Sequence, residues 1–191
     1  MGLLALFRRR PHERAGYALY TAAVTAARDP WHYGPEVGAP DTLDGRFDLI
    51  GLQVALLIRR LRADPDPRGA ALAQAVFDAM FSDMDITLRE MGVSDLAVGK
   101  RVKRMWEAFH GRARAYEAAL DAGDAAALAA ALLRNVWRVE PDGPEAAAHT
   151  RGAARLAAEA QRRAAALAGQ DLAALLRGEV RFPPPEPALT A

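Results

Sequence analysis

Along most of the chain the apolar residues recur three and four positions apart, and no stretch keeps the strict alternation of a strand, so the pattern predicts helices almost throughout. A first helix from about residue 11 to 28 places Leu19, Ala22, Ala23 and Ala26 at helical spacing and stops at Asp29-Pro30. Residues 31–40, which begin Trp31-His32-Tyr33-Gly34-Pro35, form an irregular connection anchored by its aromatics. The clearest stripe follows: Phe47, Ile50, Gly51, Val54, Leu57, Ile58 and Leu61 share a face, while Asp48, Arg59 and Arg62 lie off it, so this second helix is expected to bury one side. It ends near Asp64-Pro65-Asp66-Pro67.

A third helix, from about 68 to 91, carries Leu72, Val76 and Met80 on one stripe, with Phe77, Phe81, Met84 and Leu88 widening it; that width implies burial from two sides. Gly92 is placed to end it with a positive φ, and Ser94 or Asp95 to cap a fourth helix. The fourth runs from about 95 to 120 and is apolar at Val98, Val102, Met105, Trp106, Phe109, Tyr116 and Leu120. Residues 125–138 predict a further helix, Pro141-Asp142-Gly143-Pro144 a turn, 145–168 an Ala- and Arg-rich helix expected to bury little, and 170–177 a short one. Pro183-Pro184-Pro185 and Pro187 mark an extended tail with no core-forming residue. With no fixed-period repeat and no heptad run, the expected fold is all-α: an irregular single-domain bundle of about six to seven helices, spanning residues 11–178, between an N-terminal segment 1–10 and a Pro-rich tail 179–191.

Composition narrows the function classes. The 191 residues suit one domain, and with no cysteine there is neither a disulfide framework nor a thiolate metal site, as fits the cytoplasm. The 25 basic and 24 acidic side chains leave a net charge of +1, so no chain-wide field points to DNA. No apolar run reaches the roughly 20 residues that a spanning helix requires. At the N-terminus Leu3, Leu4, Leu6 and Phe7 precede Arg8, Arg9 and Arg10, the reverse of a secretion signal. Two readings stay open there: contact with an anionic membrane interface, or a frayed end.

Catalytic motifs are missing: there is no phosphate loop, zinc-protease helix or nucleophile elbow, and His12, His32, His110 and His149 fall in unrelated segments. Two acidic clusters remain. Asp41, Asp44 and Asp48, with Arg46, lack the Gly and Glu positions of a calcium loop and read as helix-capping and ion-pairing groups, Asp41 or Thr42 being the cap and Asp44 imitating a capping box. Asp78, Asp83, Asp85 and Glu90 lie on the third helix; Asp85 and Arg89 form an i, i+4 pair, and together with Asp95 and Arg112 these groups are expected to fix how the second, third and fourth helices meet. No metal and no cofactor is expected. A basic run, Lys100, Arg101, Lys103 and Arg104, lies beside the apolar stripe of the fourth helix and reads either as a solvated face or as a surface for lipid, RNA or an acidic partner.

The stretches YTAAVTAARDPWHY (20–33), VGAPDTLDGRFDLI (37–50), FDAMFSDMDITLREMGVSDLAVGKRVK (77–103) and MWEAFHGRARAY (105–116) together resemble the ubiquinol–cytochrome c chaperone family, the assembly factors of the respiratory cytochrome bc1 complex. The likeness covers about residues 15–135, with the segment after Glu140 outside it. It implies a non-enzymatic chaperone that binds newly made cytochrome b and promotes bc1 assembly. The mitochondrial relatives work at the ribosome exit and the inner membrane with a small helical partner protein, whereas this shorter bacterial-type chain is expected to act alone or as a homo-oligomer, peripheral on the cytoplasmic face of the membrane, with ribosome contact as a further option. A client of apolar membrane helices suits adaptable side chains, and Met80, Phe81, Met84, Met105, Trp106 and Phe109, with the basic run, are the partner-binding candidates; core packing is the alternative for the apolar ones. Two other classes stay open: a metal- or cofactor-dependent helical enzyme using Asp41, Asp44, Asp85 and Glu90, and a peripheral lipid- or quinone-binding protein.

Overall fold

The computed structural model describes residues 12–186, which form seven α-helices and no strand. In order these are α1 (Glu13–Ala27), a 3-10 turn (Pro30–His32), α2 (Leu43–Arg62), α3 (Pro67–Glu90), α4 (Asp95–Asp121), α5 (Ala125–Leu132) running into a π turn (Leu133–Trp137), α6 (Ala146–Ala168) and α7 (Leu172–Leu176). Among the described helices none is long and apolar enough to cross a membrane. The N-terminal residues Leu3, Leu4, Leu6, Phe7, Arg8, Arg9 and Arg10 lie outside the described part.

Helix α2 is the axis of the molecule, touching α1, α3, α4 and α6. Its leucines at 49, 52, 56, 57 and 61 are all buried, and so are Gln53 and Asp48, which corrects the one-sided burial expected from its stripe. Neighbours lie on several sides of this helix: α6 packs on it as well as α1, α3 and α4, and Asp48 is covered by Arg112 of α4 and by Arg138. The second correction is to α6 itself, which buries Gly152, Ala153, Leu156, Ala157, Ala160, Ala164 and Leu167. Small residues let its backbone come close, so a helix with few large side chains still sits in the core; a methyl group at Gly152 would overlap the Val37 carbonyl oxygen and stand 3.3 Å from the Trp137 ring.

Local chemistry sets the helix ends. Thr42, rather than Asp41, caps α2 by accepting from the Gly45 amide at 3.1 Å, and because Gly45 occupies the third position no capping box forms with Asp44. Asp66 caps α3 and Asp124 caps α5. After α3, Gly92 takes φ 80° while Val93 N donates to the Leu88 carbonyl at 3.0 Å, the left-handed stop that turns the chain into α4. Ser94 occupies the cap of α4 without a side-chain hydrogen bond.

The tail is also not inert. Val180 and Phe182 pack on the core, and the segment is tied to α6 and the turn after it through Arg163 Nε to the Pro183 carbonyl (3.3 Å), Gln170 Nε2 to the Arg181 carbonyl (2.7 Å) and an Arg162 hydrogen bond to the Pro184 carbonyl. Beneath it lies a buried pair, Arg163 Nε to Glu159 Oε1 at 2.6 Å, with Arg163 also donating to the Ala26 carbonyl of α1. Burial presses the Arg163 guanidinium below its ordinary pKa, and Glu159 pulls against that.

Candidate functional site

Helix α4 packs on the core through Val98, Phe109, Ala113 and Tyr116, but along its first half it does not close against the start of α2 and the end of α3. The space left is an open groove of about 620 Å³. Its floor is apolar: Leu43, Phe47 and Ile50 from α2, Met84, Leu88 and Met91 from α3 and its end, and Met105 and Ala108 from α4. Leu43 is 52% exposed and Met91 55%, in a bundle whose other leucines are mostly buried. Three Met side chains in one concave surface give a lining that can reshape around different apolar partners.

Arginines ring this floor: Arg28 from the end of α1, Arg46 from α2, Arg101, Arg104 and Arg112 along one side of α4, and Arg138 after the π turn. The spacing of three and eight along α4 keeps its three arginines on one helical face. Asp48 anchors two of them. Its carboxylate is fully buried; Arg112 donates to Oδ1 and Arg138 Nη2 stands 2.6 Å from Oδ2. Burial pushes the Asp48 carboxyl up to about 6, against the opposite pull of Arg112 and Arg138. At neutral pH it is therefore mostly ionised, and it holds two guanidinium groups at the groove wall. Arg138 reaches it from a left-handed backbone conformation, φ 62°, that a non-glycine residue adopts only when its surroundings impose it. On the opposite wall the Tyr20 hydroxyl donates to Asp83 Oδ2 at 2.7 Å, and burial with that carboxylate raises the phenol's pKa.

The predicted residues divide between groove, core and outer surface. Met84, Met105, Arg101, Arg104, Arg112, Asp44 and Arg46 line the groove. Met80 and Phe109 are core residues with no surface to offer, a correction to their candidacy as partner contacts, and Phe81 packs beside Phe77 and Phe109. Lys100, Lys103 and Trp106 lie on the outer side of α4, away from the groove; Lys103 stands 3.9 Å from Glu107, and Trp106 meets His110 edge to face. Burial lowers the pKa of His110. Asp41 pairs with Arg46 at 2.5 Å in solvent. Arg89 bridges Asp85 (2.6 Å) and Asp95, joining α3 to α4 only, whereas the tie to α2 runs through Asp48 and Arg112. Glu90 is exposed and takes no part in either network. The carboxylates therefore do not converge, and among the described residues no group of three or more His, Asp or Glu forms a metal-binding cluster.

Sequence reasoning did not single out Arg138, Arg28, Leu43 or Met91. Leu88 was visible as part of an apolar stripe, but nothing in spacing or composition marks Arg138, because it reaches Asp48 only through a π turn that no periodicity announces.

Residues 36–182 match the family described as ubiquinol-cytochrome C chaperone. This extends the likeness well past Glu140, where the sequence reading had ended it, and the close packing of α6 on α2 and of the tail on the core explains why those segments belong to the same unit. The crystal structure of the Cbp3 homolog from Brucella abortus superposes with a TM-score of 0.75 at 36% sequence identity, covering 95% of this chain and 96% of that one. No curated protein matches the chain.

Proposed function

The chain belongs to the ubiquinol–cytochrome c chaperone family, and from that premise we propose that it holds newly made cytochrome b in the groove between α2, α3 and α4 until the bc1 complex is assembled. As a member of this family it is a non-enzymatic assembly factor, acting by binding. The observation that carries the location is the apolar floor: Leu43 and Met91, both more than half exposed, with the partly exposed Phe47 and Met105, line a concave surface that the bundle leaves uncovered. Apolar area of that kind is costly in water and is retained where a partner covers it. A client of apolar helices supplies the matching surface, and the methionines suit successive segments of unlike shape.

The test is a Met91→Glu variant, whose charge sits in the floor while the side chain stays solvent-reachable. Cytochrome b co-purifies with the tagged wild-type chain from membranes and is lost with Met91→Glu, and cells carrying only the variant lose bc1 complex. Equal recovery of cytochrome b with both proteins would remove the groove from the account.

A second contact follows from the outer face of α4. Leu96 is 90% exposed and shares that side with Lys100 and Lys103, an apolar tip beside positive charge that fits peripheral contact with anionic lipid on the cytoplasmic face of the membrane. Flotation with anionic vesicles reports it: Leu96→Ser combined with Lys100→Gln lowers the bound fraction, and an unchanged fraction rejects this face.

A further inference from the structure

The groove is not merely apolar. Its six arginines outnumber the four carboxylates that line or pair with them, Asp41, Asp44, Asp48 and Asp83. Arg46 is held by Asp41, and Arg112 and Arg138 by the buried Asp48, but among the described residues Arg28, Arg101 and Arg104 make no ion pair. Arg112 and Arg138 share one carboxylate, so their remaining donors are available to a second acceptor. A purely apolar segment laid on this floor would bring nothing to these donors and would strip water from them, which costs free energy.

We propose that the groove selects an amphipathic peptide helix bearing acidic side chains beside its apolar face, the acids seated on Arg101, Arg104, Arg112 and Arg138 and the apolar residues on Leu43, Phe47, Met91 and Met105. This rests on the reading of the groove as the client site and adds what kind of segment it takes. A volume of about 620 Å³ corresponds to roughly five to six residues of a helix about 10 Å across. That is one and a half turns, enough for two acids spaced i, i+4 to meet the arginine row of α4. The concavity also argues for a helix over a bilayer: a groove of about 620 Å³ receives a cylinder more fully than a flat membrane surface.

The experiment titrates the full chain into fluorescein-labelled helical peptides of about 16 residues. One has a Leu and Met face with two Glu at i, i+4 along its edge, and the other has Gln in place of both Glu. Anisotropy is read at about 50 and 300 mM salt. The Glu peptide binds about tenfold or more tighter than the Gln peptide. The gap narrows at the higher salt and closes in an Arg101→Gln/Arg104→Gln variant, whose exposed substitutions leave the fold intact by circular dichroism. Equal affinities for the two peptides in the wild-type chain overturn the acid selectivity. So does displacement of the Glu peptide by phosphatidylglycerol vesicles, with vesicle binding itself lost in the variant, because the rim would then serve lipid. Failure of the selectivity is distinguishable from failure of the site: in the first case Met91→Glu still abolishes cytochrome b recovery, and in the second it does not.

Discussion

The Glu159–Arg163 pair offers a sharp test of how the C-terminal half is held, because both members are almost completely buried, 4% and 1% exposed, and Arg163 reaches both the end of α1 and the tail. Replacing Glu159 with Leu removes the carboxylate 2.6 Å from Arg163 Nε and leaves a buried cation. One-sided removal from such a pair costs about 3–5 kcal/mol. Here the Ala26 and Pro183 carbonyls, at 3.4 and 3.3 Å, stay within reach of the guanidinium and soften the loss, so about 2–4 kcal/mol is the expected cost. Arg162, the other partner of Glu159, is partly solvent-exposed and rehydrates with little penalty. For a chain of this size that corresponds to a fall in Tm of about 4–16 °C. The double variant Glu159→Leu/Arg163→Met removes both charges and keeps the volume, so it recovers most of the loss. Urea and thermal unfolding of the wild type, both singles and the double measure the cycle. A Glu159→Leu variant within about 1 kcal/mol of wild type, or a double variant as unstable as the single, would refute the assignment of the pair as the buried tie between α1, α6 and the tail.

Two further outcomes follow from the same packing. Gly152→Ala adds a methyl group against the Val37 carbonyl and forces α6 off the connection that follows α1, costing about 1–3 kcal/mol despite the better helix propensity of Ala; unchanged urea unfolding would mean that α6 does not sit this close. His32 is fully buried, and burial first and Arg163 second lower its pKa to about 4. A depressed folded value means that its stability contribution is complete above about 6.5 and is lost as the pH falls toward 4, to the order of 3 kcal/mol. Asp48 runs the other way: its raised folded value favours the folded state below the ordinary carboxylate range, an advantage lost as pH rises through about 6. Subtracting the pH–stability curve of His32→Gln from that of the wild type isolates the histidine, and parallel curves between pH 4 and 6.5 would contradict its burial as a neutral ring.

Much of the fold is legible in the sequence because helix periodicity and punctuation agree. The Asp29-Pro30, Asp64-Pro65 and Gly92 stops fall within a residue or two of the observed helix ends, and the 3.6-residue stripes of α2, α3 and α4 account for most of the core. What periodicity misreads is coverage from a distant segment. Asp48 looks solvent-facing by pattern, yet it is buried beneath Arg112 of α4 and Arg138, and α6 reaches the core on small residues because close backbone approach substitutes for large side chains. The site divides in the same way. Met84, Met105, Arg101 and Arg104 are readable from their helices, whereas Met80 and Phe109 occupy equivalent-looking positions and turn inward. Arg138 is invisible in sequence, since only the π turn and a left-handed residue bring it to Asp48.

The groove as the client site is tested most directly by photocrosslinking in cells. A benzophenone amino acid at Met91, on the floor, captures newly made cytochrome b, while the same probe at Leu96, exposed on the opposite side of α4, does not. Capture at Leu96 with none at Met91 would place the client on the other face and contradict the account.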